Sequence, residues 1–156
     1  AAAALAQVAR DIEPRGLVLK AFDCYRPERA VRHFVRWVRN SADVARKAAF
    51  YPKVDKRNLL HDGYIAARSG HSRGSTIDLT LALIDGAELD MGTPFDFFSP
   101  RAAPSDRSVS VEARGHRALL AQAMRRRGFM AYRKEWWHFT LRDEPFRDRH
   151  FDFVVR

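Results

Sequence analysis

Cysteine is nearly absent. Cys24 is the only one in 156 residues, so no internal disulfide can form. A reducing compartment is the simpler expectation, which gives a cytoplasmic protein; a periplasmic one without disulfides is the alternative if a leader was removed. Long apolar runs are missing as well. None approaches the about 20 residues that cross a bilayer as a helix, so no membrane span is expected. The opening Ala1–Ala6 lacks the charged region and the long apolar region of a signal peptide. No internal repeat and no clear domain boundary interrupt the chain, and its length suits one domain spanning 1–156. Acidic residues are outnumbered, leaving a net charge of +9. That balance raises the question of a nucleic-acid partner. The arginines are spread along the chain rather than gathered in a tail, and no nucleic-acid-binding motif is present, so no nucleic acid is expected. A solvated basic face, useful near anionic cell-wall material, is the plainer reading. The sequence specifies no oligomeric state.

What is present is an ordinary globular composition, 46% hydrophobic and 30% charged. Leu5, Val8, Ala9 and Ile12 fall at helical spacing and predict a helix over 2–12, ended by Pro14 and Gly16. The apolar run Leu17–Phe22 predicts a short buried strand. Pro27 suits the first turn of a second helix. Val31, Phe34, Val35 and Val38 form its apolar stripe, with Arg29, Arg32, Arg36 and Arg39 off it. The pattern carries this helix past Asn40 to about Ala49. Residues 51–70 read as irregular. Residues 77–83 alternate as a strand, with Ile77, Leu79 and Leu81 on one face and Asp78 and Thr80 on the other. A long loop over 85–108 follows, of the kind that carries function. Next comes a helix over 111–127, with Leu119, Leu120, Ala123 and Met124 inward and Gly128 past its end. Residues 129–141 are aromatic-rich and read as strand.

Three separated segments hold unusual polar groups. In Ser69–Asp78, a histidine and an aspartate stand seven positions apart with Gly74 between them. On a straight strand that odd separation sends the two side chains to opposite faces, so convergence needs a bend, which the glycines permit. A carboxylate flanked by strand apolars must be paired or metal-bound if buried. In Glu135-Trp136-Trp137-His138, a carboxylate precedes a histidine by three. The strand context predicts a twist or bulge near Trp136, with the tryptophans excluding water and fixing the His138 rotamer. In Asp23-Cys24-Tyr25-Arg26-Pro27, Arg26 sits at a strand-to-helix corner suited to clamping a ligand. His71, Asp78 and His138 together offer two nitrogens and one oxygen. That set suits a catalytic zinc with a fourth position open to a water whose pKa falls to about 7. Glu135 can then take a proton, and Arg26 can stabilise an oxyanion. Each residue also has an ordinary reading. His71 can cap a turn, Asp78 can pair with an arginine, and His138 can be a core histidine. Glu135 can pair with Lys134, and Arg26 with Asp23. His33, His61, His116 and His150 carry no assigned role, and Cys24 reads as a small buried residue.

At these residues the sequence resembles the VanX-type D-alanyl-D-alanine dipeptidases, a branch of the zinc D-Ala-D-Ala peptidases. The matching stretches are YRP at 25–27, SGHSRGSTIDLTL at 69–81, MGTPFDFF at 91–98, EWWHFTLRDEPF at 135–146 and the closing FDFVVR. The resemblance implies an α+β fold, with helices packed on a central antiparallel sheet carrying a zinc site. It implies zinc held by His71, Asp78 and His138, with Glu135 as base and Arg26 on the transition state. It also implies Ser69 and Asp96 in the substrate pocket, Asp96 meeting the free ammonium of the dipeptide. The implied reaction is hydrolysis of D-Ala-D-Ala, a cell-wall peptide precursor. Two alternatives stand beside it: a D,D-carboxypeptidase or endopeptidase acting on longer cell-wall peptides, and a basic binding protein without catalysis.

Overall fold

A computed structural model describes residues 1–155; Arg156, the last residue of the FDFVVR stretch, lies outside them. The apolar spacing at the start of the chain forms α1 (Ala2–Ile12), with Val8 and Ile12 buried. Pro14 opens a short 3-10 turn, and Gly16, at a φ of 71°, turns the chain into β1 (Leu17–Asp23). This strand is not the buried one its composition predicts. It lies at a sheet edge, Leu17 facing inward and Val18 38% exposed, because the core covers only one of its faces.

Helix α2 (Glu28–Arg39) follows, with Pro27 at its N-cap. It ends ten residues earlier than the apolar pattern suggests, and only a single helical turn, α3 (Lys47–Phe50), forms beyond it. The buried Lys56 explains the break. Its ammonium donates to the carbonyls of Asn40 at 2.8 Å and Asp43 at 2.6 Å, acceptors that a continuing helix would use internally. Val31 and Val38 are buried as expected, but Phe34 is 39% exposed and belongs to a cavity instead of the core.

The sheet is built around β2 (Thr76–Leu83), which pairs antiparallel with β1 on one side and β4 (His138–Leu141) on the other; β3 (Phe129–Ala131) closes the order β1-β2-β4-β3. The predicted alternation holds. Ile77, Leu79 and Leu81 pack into the main core with Val8 and Ile12 of α1 and with Leu120 and Met124 of α4 (Val111–Arg126). Ser110 caps α4 by accepting from the Ala113 N–H at 3.0 Å, and Gly128, at a φ of 86°, lets the chain turn back into β3. Leu119, expected inward, is only half-buried, while Arg117 on the same helix is buried. Its guanidinium donates to the carbonyls of Met91 (2.7 Å), Ala103 (2.8 Å) and Arg101 (3.0 Å), pinning the long loop after β2 to α4. Between β1 and β2 the register slips at Ala21/Asp23, a bulge that sets Asp23 opposite Asp78 and swings the chain toward Arg26. Among the described residues no helix is long and apolar enough to cross a membrane.

Candidate metal centre and active site

His71 sits in a 3-10 turn (Gly70–Arg73) that Ser69 caps, its Oγ accepting from the His71 N–H at 3.2 Å. Gly74, at a φ of 75°, then reverses the chain into β2. This is the bend that the odd His71–Asp78 spacing demands, and it folds the imidazole back over Asp78. His71 Nδ1 lies 2.7 Å from the Cys24 carbonyl, which can only accept. Nδ1 therefore carries the proton, and Nε2 presents a lone pair. Nε2 is buried, has no hydrogen-bond partner among the described residues, and points at Asp78 Oδ2 at 3.3 Å.

Asp78 and His138 face each other across the β2–β4 ladder, with His138 Nδ1 2.9 Å from Asp78 Oδ1. Asp78 Oδ1 is also buried without a hydrogen-bond partner. The three ligand atoms lie within 4.8 Å of one another. A lone pair on Nε2 facing carboxylate oxygens is repulsive unless positive charge stands between them. The 2.9 and 3.3 Å separations also approach the edge of a tetrahedron with ligands about 2.0–2.2 Å from its centre. These side chains fit a metal ion.

The electrostatics agree. Burial pushes the Asp78 carboxyl up, but the His138 and His71 imidazoles outweigh it and hold it at about 2. Positive charge facing the carboxylate is what holds it down, and with the His71 Nδ1–H turned to the Cys24 carbonyl a bound cation would supply that charge. Glu135 lies beside the cluster, its Oε2 3.7 Å from His138 Nδ1. Burial, then Asp78, then Asp96 push its carboxyl up to about 9, against Arg26 and Lys134. Asp96 is pushed up to about 7 by burial and Asp78, with Arg26 opposing. It sits at a φ of 58°, a left-handed conformation uncommon for a residue other than glycine.

Arg26 is held at the corner between β1 and α2. Its Nε donates to Asp23 Oδ2 at 2.9 Å, and its guanidinium lies 5.0 Å over the Phe34 ring. The pairing with Asp23 does not remove it from the site, since it lines the same cavity of about 460 Å³ as Ser69, His71, Asp78, Asp96, Glu135 and His138. All seven residues singled out in the sequence thus meet in one place. A larger groove of about 670 Å³ between α4 and β3 shares none of them.

Three local expectations need correction. Glu135–Trp137 is a turn leading into β4, not a bulged strand. Its geometry is fixed from outside, by the Trp136 N–H donating to Ala102 O at 3.0 Å and the Trp136 indole to Thr93 Oγ1 at 2.9 Å. The rings against His138 are His71 at 5.1 Å and Tyr132 at 5.5 Å; the tryptophans meet each other edge to face, and Trp137 meets Phe95 the same way. Cys24 is exposed, and only its backbone serves the site. Sequence reading also missed a wall of the cavity. Tyr132 Oη donates to Gly63 O at 2.8 Å, and Lys134 donates to Asp62 O while lying over the Tyr64 ring. These contacts fasten the segment 62–64 to the turn bearing Glu135. Nothing in local composition marks those loop residues; the aromatic Tyr132 preceding Glu135 is the only available signal.

A two-histidine, one-carboxylate cluster with a buried glutamate beside it, set on an antiparallel sheet inside a ligand-sized cavity, is the arrangement of a metal-centred hydrolase. Comparison with known proteins places the chain among peptidases. The peptidase M15 family model, described as D-ala-D-ala dipeptidase, matches residues 1–156, and the chain belongs to that family. It is 41% identical over 143 residues to a D-alanyl-D-alanine dipeptidase of Enterococcus faecium, covering 91% of this chain and 71% of the relative. A dipeptidase of the same description from Enterococcus faecalis is 42% identical over 141 residues, covering 90% and 70%. One from Streptomyces coelicolor is 41% identical over 154 residues, covering 98% and 76%.

Proposed function

We propose that this chain hydrolyses the D-alanyl-D-alanine dipeptide with a zinc ion held by His71 Nε2, Asp78 and His138 Nδ1, within one domain spanning 1–156. The observation that carries the reading is the buried, unpartnered His71 Nε2 facing the Asp78 carboxylate in the cavity that also holds Glu135. Two imidazoles and one carboxylate are the donor set of a catalytic zinc, which when bound supplies a Lewis acid for the scissile carbonyl and lowers the pKa of water.

The chain's own groups complete the chemistry. Glu135 accepts the proton of the attacking water and passes it to the departing amine. To do so it must be ionised, which burial opposes most and Asp78 next; a cation offsetting the Asp78 charge lowers the Glu135 carboxyl toward the range of a base. Arg26, oriented by Asp23, places a permanent positive charge where negative charge develops on the carbonyl oxygen. Asp96, partly buried in the cavity wall, pairs with the ammonium of the dipeptide, and that cation favours its ionised form in turn. Ser69 supports the turn of His71 and lines the same cavity. The Cys24 carbonyl, accepting from His71 Nδ1, fixes the tautomer that leaves Nε2 free.

The test is release of free D-alanine from D-Ala-D-Ala, with and without a chelator. Zinc-dependent release supports the reading, and none in the presence of zinc contradicts it. Glu135→Gln is expected to abolish turnover while the protein still binds zinc. Comparing the dipeptide with acyl-D-Ala-D-Ala separates a dipeptidase from a carboxypeptidase acting on longer chains; the dipeptide is expected to be the better substrate.

A further inference from the structure

Helix α2 starts without a cap of its own, because Pro27 offers no side-chain acceptor. Its first free N–H groups find partners in a segment 123 residues away. The Glu28 N–H donates to Phe151 O at 3.0 Å, and the Arg29 N–H donates to Asp152 Oδ1 at 2.8 Å. The Arg29 guanidinium reaches the same carboxylate at 3.0 Å and the Asp152 carbonyl at 2.7 Å, and Arg32 reaches Oδ2 at 3.3 Å. Next along, the Phe153 N–H donates to Tyr25 Oη at 2.6 Å. In the other direction the Phe151 N–H donates to Ser72 O at 2.8 Å. Ser72 follows His71 directly, and its own hydroxyl donates to Arg26 O at 2.7 Å.

Residues 151–153 are therefore fastened at once to the corner carrying Arg26 and to the turn carrying His71. The exposed ion pairs of Asp152 with Arg29 and Arg32 fix little by themselves. The capping bond is different, because a helix start satisfied by one acceptor is held in one place. We infer that Asp152 is a positioning residue: by capping α2 from outside, it sets the Arg26 corner against the His71 turn. The inference rests on the proposed role of Arg26.

Asp152→Ala removes both cap and ion pairs, whereas Asp152→Asn keeps an acceptor for the Arg29 N–H. Small misplacements of a group acting on the transition state cost up to about a hundredfold. The expected result for Asp152→Ala is a fall in kcat of about tenfold, with KM and zinc content unchanged, and faster amide hydrogen exchange over residues 25–31. Asp152→Asn is expected to retain most of the wild-type kcat and exchange protection. Unchanged kcat in folded Asp152→Ala overturns the inference, as does an equal fall in both variants, which would place the effect in the charge. If Asp152→Ala does not fold, Tyr25→Phe carries the test. It removes the acceptor of the Phe153 N–H, which holds the same 151–153 segment, and unchanged kcat and exchange there also overturn the inference. Wild type measured alongside keeps the two readings apart. If wild type releases no D-alanine, the proposed function fails, while the exchange readout still reports on the cap.

Discussion

Glu135→Gln should stabilise the metal-free protein while abolishing its activity. Three carboxylates, Asp78, Asp96 and Glu135, share one cavity, and Glu135 is held up at about 9 against an ordinary 4.5 by burial and by the other two. Between those values the folded state binds a proton that the unfolded chain has released. Stability in the metal-free state therefore falls as pH rises from 4.5 toward 9. At about 1.4 kcal/mol for each pH unit, the cost reaches about 3 kcal/mol at pH 7. Glutamine has the shape of the protonated carboxyl and needs no proton, so Glu135→Gln escapes this cost. Urea unfolding of chelator-treated wild type and variant measures it. The expected result is equal stability near pH 4.5, with an advantage to the variant that grows with pH to about 3 kcal/mol at pH 7. Added zinc should narrow the gap, since it stabilises both proteins but also favours the ionised carboxylate that only the wild type carries. A variant that is less stable than wild type at every pH, or a difference that does not change with pH, would refute the claim that carboxylate crowding is stored in the site.

Other outcomes follow from the same contacts. Arg117→Met should leave the carbonyls of Met91, Arg101 and Ala103 without their donor. The expected loss is about 3 kcal/mol in urea unfolding, together with a lower kcat/KM because the loop bearing Asp96 is no longer pinned. Tyr132→Phe keeps the ring against His138 but frees the Gly63 carbonyl. It should cost about 1 kcal/mol of stability and raise KM for the dipeptide, with zinc content unchanged in metal analysis. Asp96→Asn should raise KM for the free dipeptide far more than for an acylated one, which has no ammonium to bind; equal effects on both would remove Asp96 from that role.

Much of this arrangement was legible in the sequence because it is local. The period-two pattern of β2 separates Asp78 from Ile77 and Leu79, and the glycine at position 74 signals the bend that brings His71 back. The apolar spacing of α1 and α4 reads through directly to Val8, Ile12, Leu120 and Met124 in the core. What was not legible depends on partners far along the chain. Helix α2 stops at Arg39 because Lys56 claims the next carbonyls, and an apolar stripe cannot report that. Phe34 fits the stripe but serves the cavity, since Arg26 comes to lie over it. Arg117 looks like one more surface arginine of a basic chain until three loop carbonyls converge on it. The turn at Glu135 reads as strand because its tryptophans favour strands, yet backbone bonding to Ala102 decides its shape.

The central claim is that His71 Nε2, Asp78 and His138 Nδ1 grip one zinc ion. Diffraction from crystals of the zinc-loaded protein, recorded on both sides of the zinc absorption edge, tests it directly. The account predicts a single strong anomalous peak within bonding distance of all three atoms. A peak bound elsewhere on the chain, or none between these residues at full zinc loading, would contradict it.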